Sequence, residues 1–255
     1  MNKLITLTIS ILFFTYSHAQ NNQQRVMLLA DVSSSMLTQD IKPDRLQSAK
    51  QLMKAFVKSH PNVPIGLTVF AGKWKNISEP TLDHKYILSE LNNLKTDTLK
   101  YSDGTSTGSA LISAASCLIN KPSNNSILLI TDGVENGGTV STSTATEILK
   151  YYHIRLDVIA LGTNGKAPYP YIISKDNVRY IDVETYLPSK QIAEMPKATG
   201  GSYFEVTSKQ TFQNMLYKMG SPIWLKQSPA IKPSSNFRMT KERIEWLIKK
   251  VTDDK

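Results

Sequence analysis

The chain is 255 residues long, enough for one sizeable α/β domain with a proper core plus a short appendage. Its formal charge is +9, but the lysines are spread over helical faces and the tail instead of clustering with aromatics; this argues against nucleic acid and leaves a solvated surface or an acidic partner. The single cysteine, Cys117, excludes an internal disulfide, and its apolar helical position beside Leu118 reads as a buried thiol.

Residues 1–19 read as a signal peptide. Lys3 gives a positive start, Leu4 to Tyr16 is apolar or hydroxylic, and Ser17-His18-Ala19 is a small-residue cleavage site. The apolar stretch is shorter than the ~20 residues a membrane span needs. An uncleaved anchor is the competing reading, and the absence of a nearby cysteine argues against a lipoprotein. The expected product is exported, periplasmic or extracellular.

The next apolar run, Val26 to Ala30, is continuous and not alternating, so it predicts a strand buried on both faces. It ends in Asp31-Val32-Ser33-Ser34-Ser35. Pro43-Asp44-Arg45-Leu46 opens a helix whose apolar positions continue through Met53, Phe56 and Val57, and His60-Pro61-Asn62-Val63-Pro64 ends it. Ile65 to Ala71 is a second buried strand, followed by a turn over Gly72 to Asn76. Tyr86 to Leu94 is a short helix, and a loop carrying Asp103-Gly104-Thr105 leads to a helix ending at Asn120. Ile127 to Ile130 is a third buried strand, running into Thr131-Asp132-Gly133. A loop to Gly138, a helix over Thr142–Tyr151 and a strand over His153–Ala160 follow. Gly162 to Tyr171 reads as a loop, and Val178 to Val183 as a strand or an inserted hairpin. Pro188–Ala198 is a helix, Gly201–Val206 the last strand and Thr211–Met219 the closing helix. Strands separated by helices predict an α/β fold with a doubly wound, mostly parallel sheet flanked by helices. The domain spans residues 20–220; 221–236 is a Pro/Ser linker, and 237–255 a helical tail with Phe237, Ile244, Leu247, Ile248 and Val251 on one face.

The chemistry gathers where strands end. In an open α/β sheet, ligands bind in the crevice past the carboxyl ends of the strands. Asp31, Ser33 and Ser35 stand there, with hard oxygen donors suited to Mg²⁺, Mn²⁺ or Ca²⁺. Thr105 and Asp132 are the further oxygens the chain supplies. The turn after the first strand holds no glycine, which excludes a dinucleotide fingerprint. Serines and Asp-Gly pairs are ordinary loop and cap formers one at a time; their combination carries the metal reading.

Asp-x-Ser-x-Ser, a loop threonine and a strand-end Thr-Asp-Gly, in that order, resemble the metal-ion-dependent adhesion site of von Willebrand factor A domains, over roughly Arg25 to Gly220. Asp40-Ile-Lys-Pro-Asp-Arg-Leu46, Gly66-Leu-Thr-Val-Phe-Ala71, Ile192-Ala-Glu194 and Thr199-Gly-Gly-Ser-Tyr-Phe204 are similar to the bacterial Bat-type, aerotolerance branch. The resemblance implies a Rossmann-like fold and a site of Asp31, Ser33, Ser35, Thr105 and Asp132. The three hydroxyls would meet Mg²⁺ directly, while one or both carboxylates would act through water. It also implies a hairpin after the second strand with its tip on the metal face, and a protein partner that supplies an acidic residue to the ion. The chain departs from the Bat pattern in having no later apolar run long enough to span a membrane.

Trp74 and the Tyr169/Tyr171 loop are candidates for a partner-contacting rim, with packing on the domain's own surface as the equal alternative. Ser34, Asp103 and Glu135 read as solvated loop residues and not as ligands. None of the histidines (His18, His60, His84, His153) stands beside a serine or carboxylate in a catalytic order, which argues against a Ser-His-Asp hydrolase. The reading is an exported, non-enzymatic module for metal-dependent protein–protein interaction. The competitors are a cation-dependent hydrolase and an envelope scaffold acting through its basic tail. That tail can pack back on the domain, lie on a membrane surface or dock a partner.

Overall fold

In the computed structural model, which describes residues 24–99, 102, 104–119, 124–133, 137–174, 177–186, 190–221 and 239–253, the first apolar run forms β1 (Arg25–Asp31). The expected signal segment, nearly all of the linker, Asp103, Glu135 and Phe237 lie outside the described residues. β1 is parallel to β2 (Ile65–Phe70) on one side and to β4 (Asn125–Thr131) on the other. β3 (Trp74–Thr81) adds antiparallel to β2. Beyond β4 lie β5 (Arg155–Leu161) and β8 (Tyr203–Val206), both parallel, giving the order β3-β2-β1-β4-β5-β8.

The continuous apolar character of the central strands follows from layering. On β1, Val26, Leu28 and Ala30 pack into one core with α1 (Arg45–Ser59), α2 (His84–Asn93) and α6 (Lys209–Met219). Met27 and Leu29 face the opposite core, formed with α3 (Thr107–Ser116), α4 (Thr142–Tyr151), α5 (Lys190–Thr199) and α7 (Lys241–Asp253). Burial on both faces is worth about 1.5–3 kcal/mol per large aliphatic side chain. The result is the expected doubly wound, mostly parallel sheet with helices on both sides.

Local chemistry sets the helix starts. Asp44, not Pro43, caps α1, its carboxylate accepting from Gln47 N at 2.7 Å, and Ser208 forms a capping box with Thr211 on α6. Gly108 in the first turn of α3 lies against the backbone of Val140 and Ser141, where no Cβ fits.

Several expectations change. Gly162 to Tyr171 is not all loop: β6 (Gly165–Ser174) pairs antiparallel with β7 (Asn177–Thr185) as a separate two-stranded hairpin. Strand β3 begins already at Trp74, inside the expected turn, and α3 ends at Ser116, short of Asn120. A 3-10 turn, Ser34–Leu37, follows β1 without a sequence signal. The tail helix α7 packs against α3, burying Ile244, Leu247 and Val251.

Candidate metal centre

The site is built by strand register. β1 and β4 run parallel with Ala30 opposite Ile130, so Asp31 and Thr131 leave the sheet side by side. Thr131 Oγ1 donates to Asp31 Oδ2 at 2.6 Å, and Ser33 N donates to Asp31 Oδ1 at 2.9 Å. Gly133 then turns the chain at φ 90°, a left-handed value suited to glycine, and its N–H returns to Thr131 Oγ1 at 3.0 Å. Both carboxylates, Asp31 and Asp132, are fully buried.

Ser33 and Ser35 flank the start of the 3-10 turn, with their Oγ atoms 3.0 Å apart; Ser33 is buried, Ser35 half-buried and Ser34 exposed. Thr105 is buried on the loop before α3. That loop is pinned to the same sheet edge, because Ser106 N donates to Ala71 O at 2.7 Å and Ser106 Oγ to Gly72 O at 2.7 Å, just past β2. All five sequence-predicted residues therefore stand at the carboxyl edge of the central strands, where an open α/β sheet places its ligands.

The electrostatics turn on a residue the sequence did not single out as functional. Arg45, buried at the start of α1, donates from Nη1 to Asp132 Oδ2 at 2.8 Å and takes Asp40 in a two-pronged pair, Nε to Oδ1 at 2.8 Å and Nη2 to Oδ2 at 2.6 Å. Asp40 also accepts from Thr163 N at 2.8 Å, beyond β5. Burial opposes the charge on Asp40, but Arg45 outweighs it and holds the carboxyl below its usual range. Asp31 goes the other way: burial first, then the nearby charge of Asp132, pushes it up to about 7. Among the described residues, Asp132 Oδ1 is buried without a hydrogen-bond partner. A buried carboxylate oxygen left unpaired is costly, and a hard cation among these carboxylate and hydroxyl oxygens would offset that cost. The residues fit such an ion. Among the described residues no group of three or more His, Cys, Asp or Glu could hold a metal, so the hydroxyls are essential to this donor set.

A cavity of about 260 Å³ opens beside the site. Ser34, Ser35, Thr38, Arg45 and Asp132 line one side, and Tyr169, Val183, Glu184, Thr185 and Tyr186 of the hairpin region the other. Tyr169 thus meets the site, whereas Trp74 does not form a rim: it is 8% exposed, packs in the core and donates from Nε1 to Val251 O at 3.0 Å. A buried indole whose N–H finds a carbonyl is a packing anchor.

Arg45 and Thr131 were legible as residues but not as site members. The bond from Arg45 to Asp132 crosses 87 positions and the one from Thr131 to Asp31 crosses 100, so only the strand register reveals them.

Comparison with known proteins agrees with this geometry. Residues 26–135 match the von Willebrand factor type A domain. A solved aerotolerance-related membrane protein from Bacteroides fragilis, carrying multiple mutations to serines, is 28% identical with a TM-score of 0.64, covering 76% of this chain and 98% of its own. A curated UPF0353 protein from Mycolicibacterium vanbaalenii is 26% identical over 85% of this chain and 69% of its own length. Another UPF0353 relative is matched over 63% of its length, so the chain spans about two thirds of these relatives. Proximal thread matrix protein 1 from the mussel byssus, with a zinc-occupied adhesion-site motif, shares the fold at 14% identity and a TM-score of 0.57, covering 78% of this chain and 45% of its own. Sheet order, site position and these similarities agree: over residues 26–135 the chain matches the von Willebrand factor type A domain, and it is similar to the Bat-type aerotolerance proteins.

Proposed function

We propose that the chain binds a divalent cation, Mg²⁺ by donor hardness, through Asp31, Ser33, Ser35, Thr105 and Asp132, and uses it for cation-dependent attachment to a protein partner. The observation that carries the reading is Asp132 Oδ1, buried beside the serine loop and unpartnered among the described residues. The byssus protein of the same fold carries a zinc-occupied adhesion-site motif, the type of motif this sequence resembles. The bound ion would supply an electrophilic point for a partner's carboxylate, since neutral hydroxyls leave its charge largely uncompensated.

A binding role is favoured over catalysis because, among the described residues, no histidine lines the site. His60 Nδ1 meets Phe56 O at 2.8 Å at the far end of α1, and His84 Nε2 meets Val63 O at 2.9 Å. The export signal expected over residues 1–19 would put the contact in the periplasm or outside the cell. Among the described residues, no helix is long and apolar enough to cross a membrane.

The test is retention of envelope proteins on the immobilised chain from Gln20 to Lys255, with Mg²⁺, with chelator, and with Asp31→Ala. A protein held only by the wild type with Mg²⁺ is expected. Equal retention in all three arms would remove the ion from the interaction.

A further inference from the structure

We propose that the apolar face of the β6–β7 hairpin is the specificity surface of this site, and that it takes an acidic protein segment whose cation-seeking aspartate or glutamate is flanked by aliphatic side chains. The proposal rests on the cation-dependent binding role and names the partner's chemistry.

The register of the hairpin defines the face. Residues directly opposite in an antiparallel pair share a side, so Gly165/Thr185, Ala167/Val183, Tyr169/Ile181 and Tyr171/Arg179 lie on one face. From Ala167 and Thr185 outward, exposure on that face rises away from the site. Ala167 and Thr185 are buried, Tyr169 and Val183 half-buried, and Ile181 and Tyr171 are 46% and 55% exposed. The buried and half-buried part includes the cavity lining, Tyr169, Val183 and Thr185, opposite Arg45 and Asp132. One continuous apolar strip therefore runs from the metal centre out to solvent. The other face carries Lys166/Glu184 and Pro168/Asp182 at the site end, where Glu184 reaches the cavity rim paired with Lys166 at 3.7 Å, and the exposed Tyr180 and Val178 farther out; what sets the first face apart is its unbroken run into the cavity.

Nothing in the folding of the domain requires Tyr171 and Ile181 to be apolar at that exposure, whereas a partner seated over the site would cover them. Their neighbour on the same face is Arg179, exposed and cationic, and the chain as a whole carries +9. Both favour an acidic segment. The strip is also held in place. Gln39 N, in the loop after the 3-10 turn, donates to Pro168 O at 2.9 Å, and Asp40 holds Thr163 just before β6. The hairpin is thus fixed relative to the serine loop, which lowers the ordering cost of binding.

The experiment compares acetylated, amidated pentapeptides with a central aspartate, flanked on both sides by leucine or by glycine, titrated into the full mature chain with Mg²⁺ and followed by NMR. The leucine-flanked peptide is expected to bind about tenfold more tightly. The double variant Tyr171→Ser with Ile181→Ser, both at exposed positions, should bring that advantage below about twofold while leaving Mg²⁺ affinity and the glycine peptide unchanged. Equal binding of the two peptides by the wild type, or an advantage that survives in the double variant, would overturn the proposal. So would a Mg²⁺-loaded protein that binds neither peptide, or a chain whose dimer in light scattering is dissolved by the double variant, since the strip would then serve a second copy. Failure of Mg²⁺ itself to bind would instead defeat the cation-binding role on which the proposal rests.

Discussion

Arg45 is the residue on which the charge balance of the centre depends. Among the described residues it is the buried cation that touches Asp132, and it also pairs with Asp40, so removing it leaves two buried carboxylates without their counter-charge. Breaking a buried ion pair from one side costs about 3–5 kcal/mol, and Arg45→Met should lose that much stability in urea denaturation under chelator, with part restored by Mg²⁺. A loss below ~1 kcal/mol would show that the pair does not hold the site. Asp31 gives a pH signature. Its folded value of about 7 lies above the unfolded carboxylate value, so the folded state keeps a proton that the unfolded chain has released in between. The metal-free protein should therefore gain stability as pH falls from about 7 towards ~4, and Asp31→Asn should flatten that part of the profile in thermal unfolding. A slope of the opposite sign would contradict the assigned burial. The ligand-type residues themselves were legible, because Asp-x-Ser-x-Ser and Thr-Asp-Gly are local patterns at strand ends. The bonds from Arg45 to Asp132 and from Thr131 to Asp31 were not, because they arise only when distant strands come into register.

At the scale of elements, β1 and β4 were readable because burial on both faces removes any alternation from their sequences. The hairpin was not. Pro168 and Pro170 give β6 the look of a loop, and they are tolerated because β6 belongs to a two-stranded sheet in which a missing N–H can face away from the partner strand. Trp74 stood open between a partner rim and packing on the domain, and the structure shows packing: its indole N–H is taken up by the backbone of α7, 177 positions away. That contact makes the tail part of the domain. Ile244 is fully buried between α7 and the core, so Ile244→Ala should cost about 2–5 kcal/mol in urea denaturation. An unchanged midpoint would mean that the helix does not dock in solution. The exposed face of α7 carries Trp246, with Arg243 over its ring at 4.1 Å, so the basic residues of the tail solvate a docked helix.

For the whole molecule, the doubly wound sheet collects loops from distant parts of the chain at one edge, and the basic charge favours an acidic partner there. The fold class was the most legible feature, since it follows from alternating strand and helix patterns. The proposed partner surface was the least, since it depends on which hairpin face the register turns towards the site. The most direct measurement is a calorimetric titration of Mg²⁺ into the metal-free chain near pH 7.5, for the wild type, Thr105→Val and Asp132→Asn. The account predicts one binding event in the wild type, weakened about tenfold or more by each substitution, an energy scale of ~1.4 kcal/mol per decade. No binding at millimolar Mg²⁺, or equal affinity in all three proteins, would contradict it.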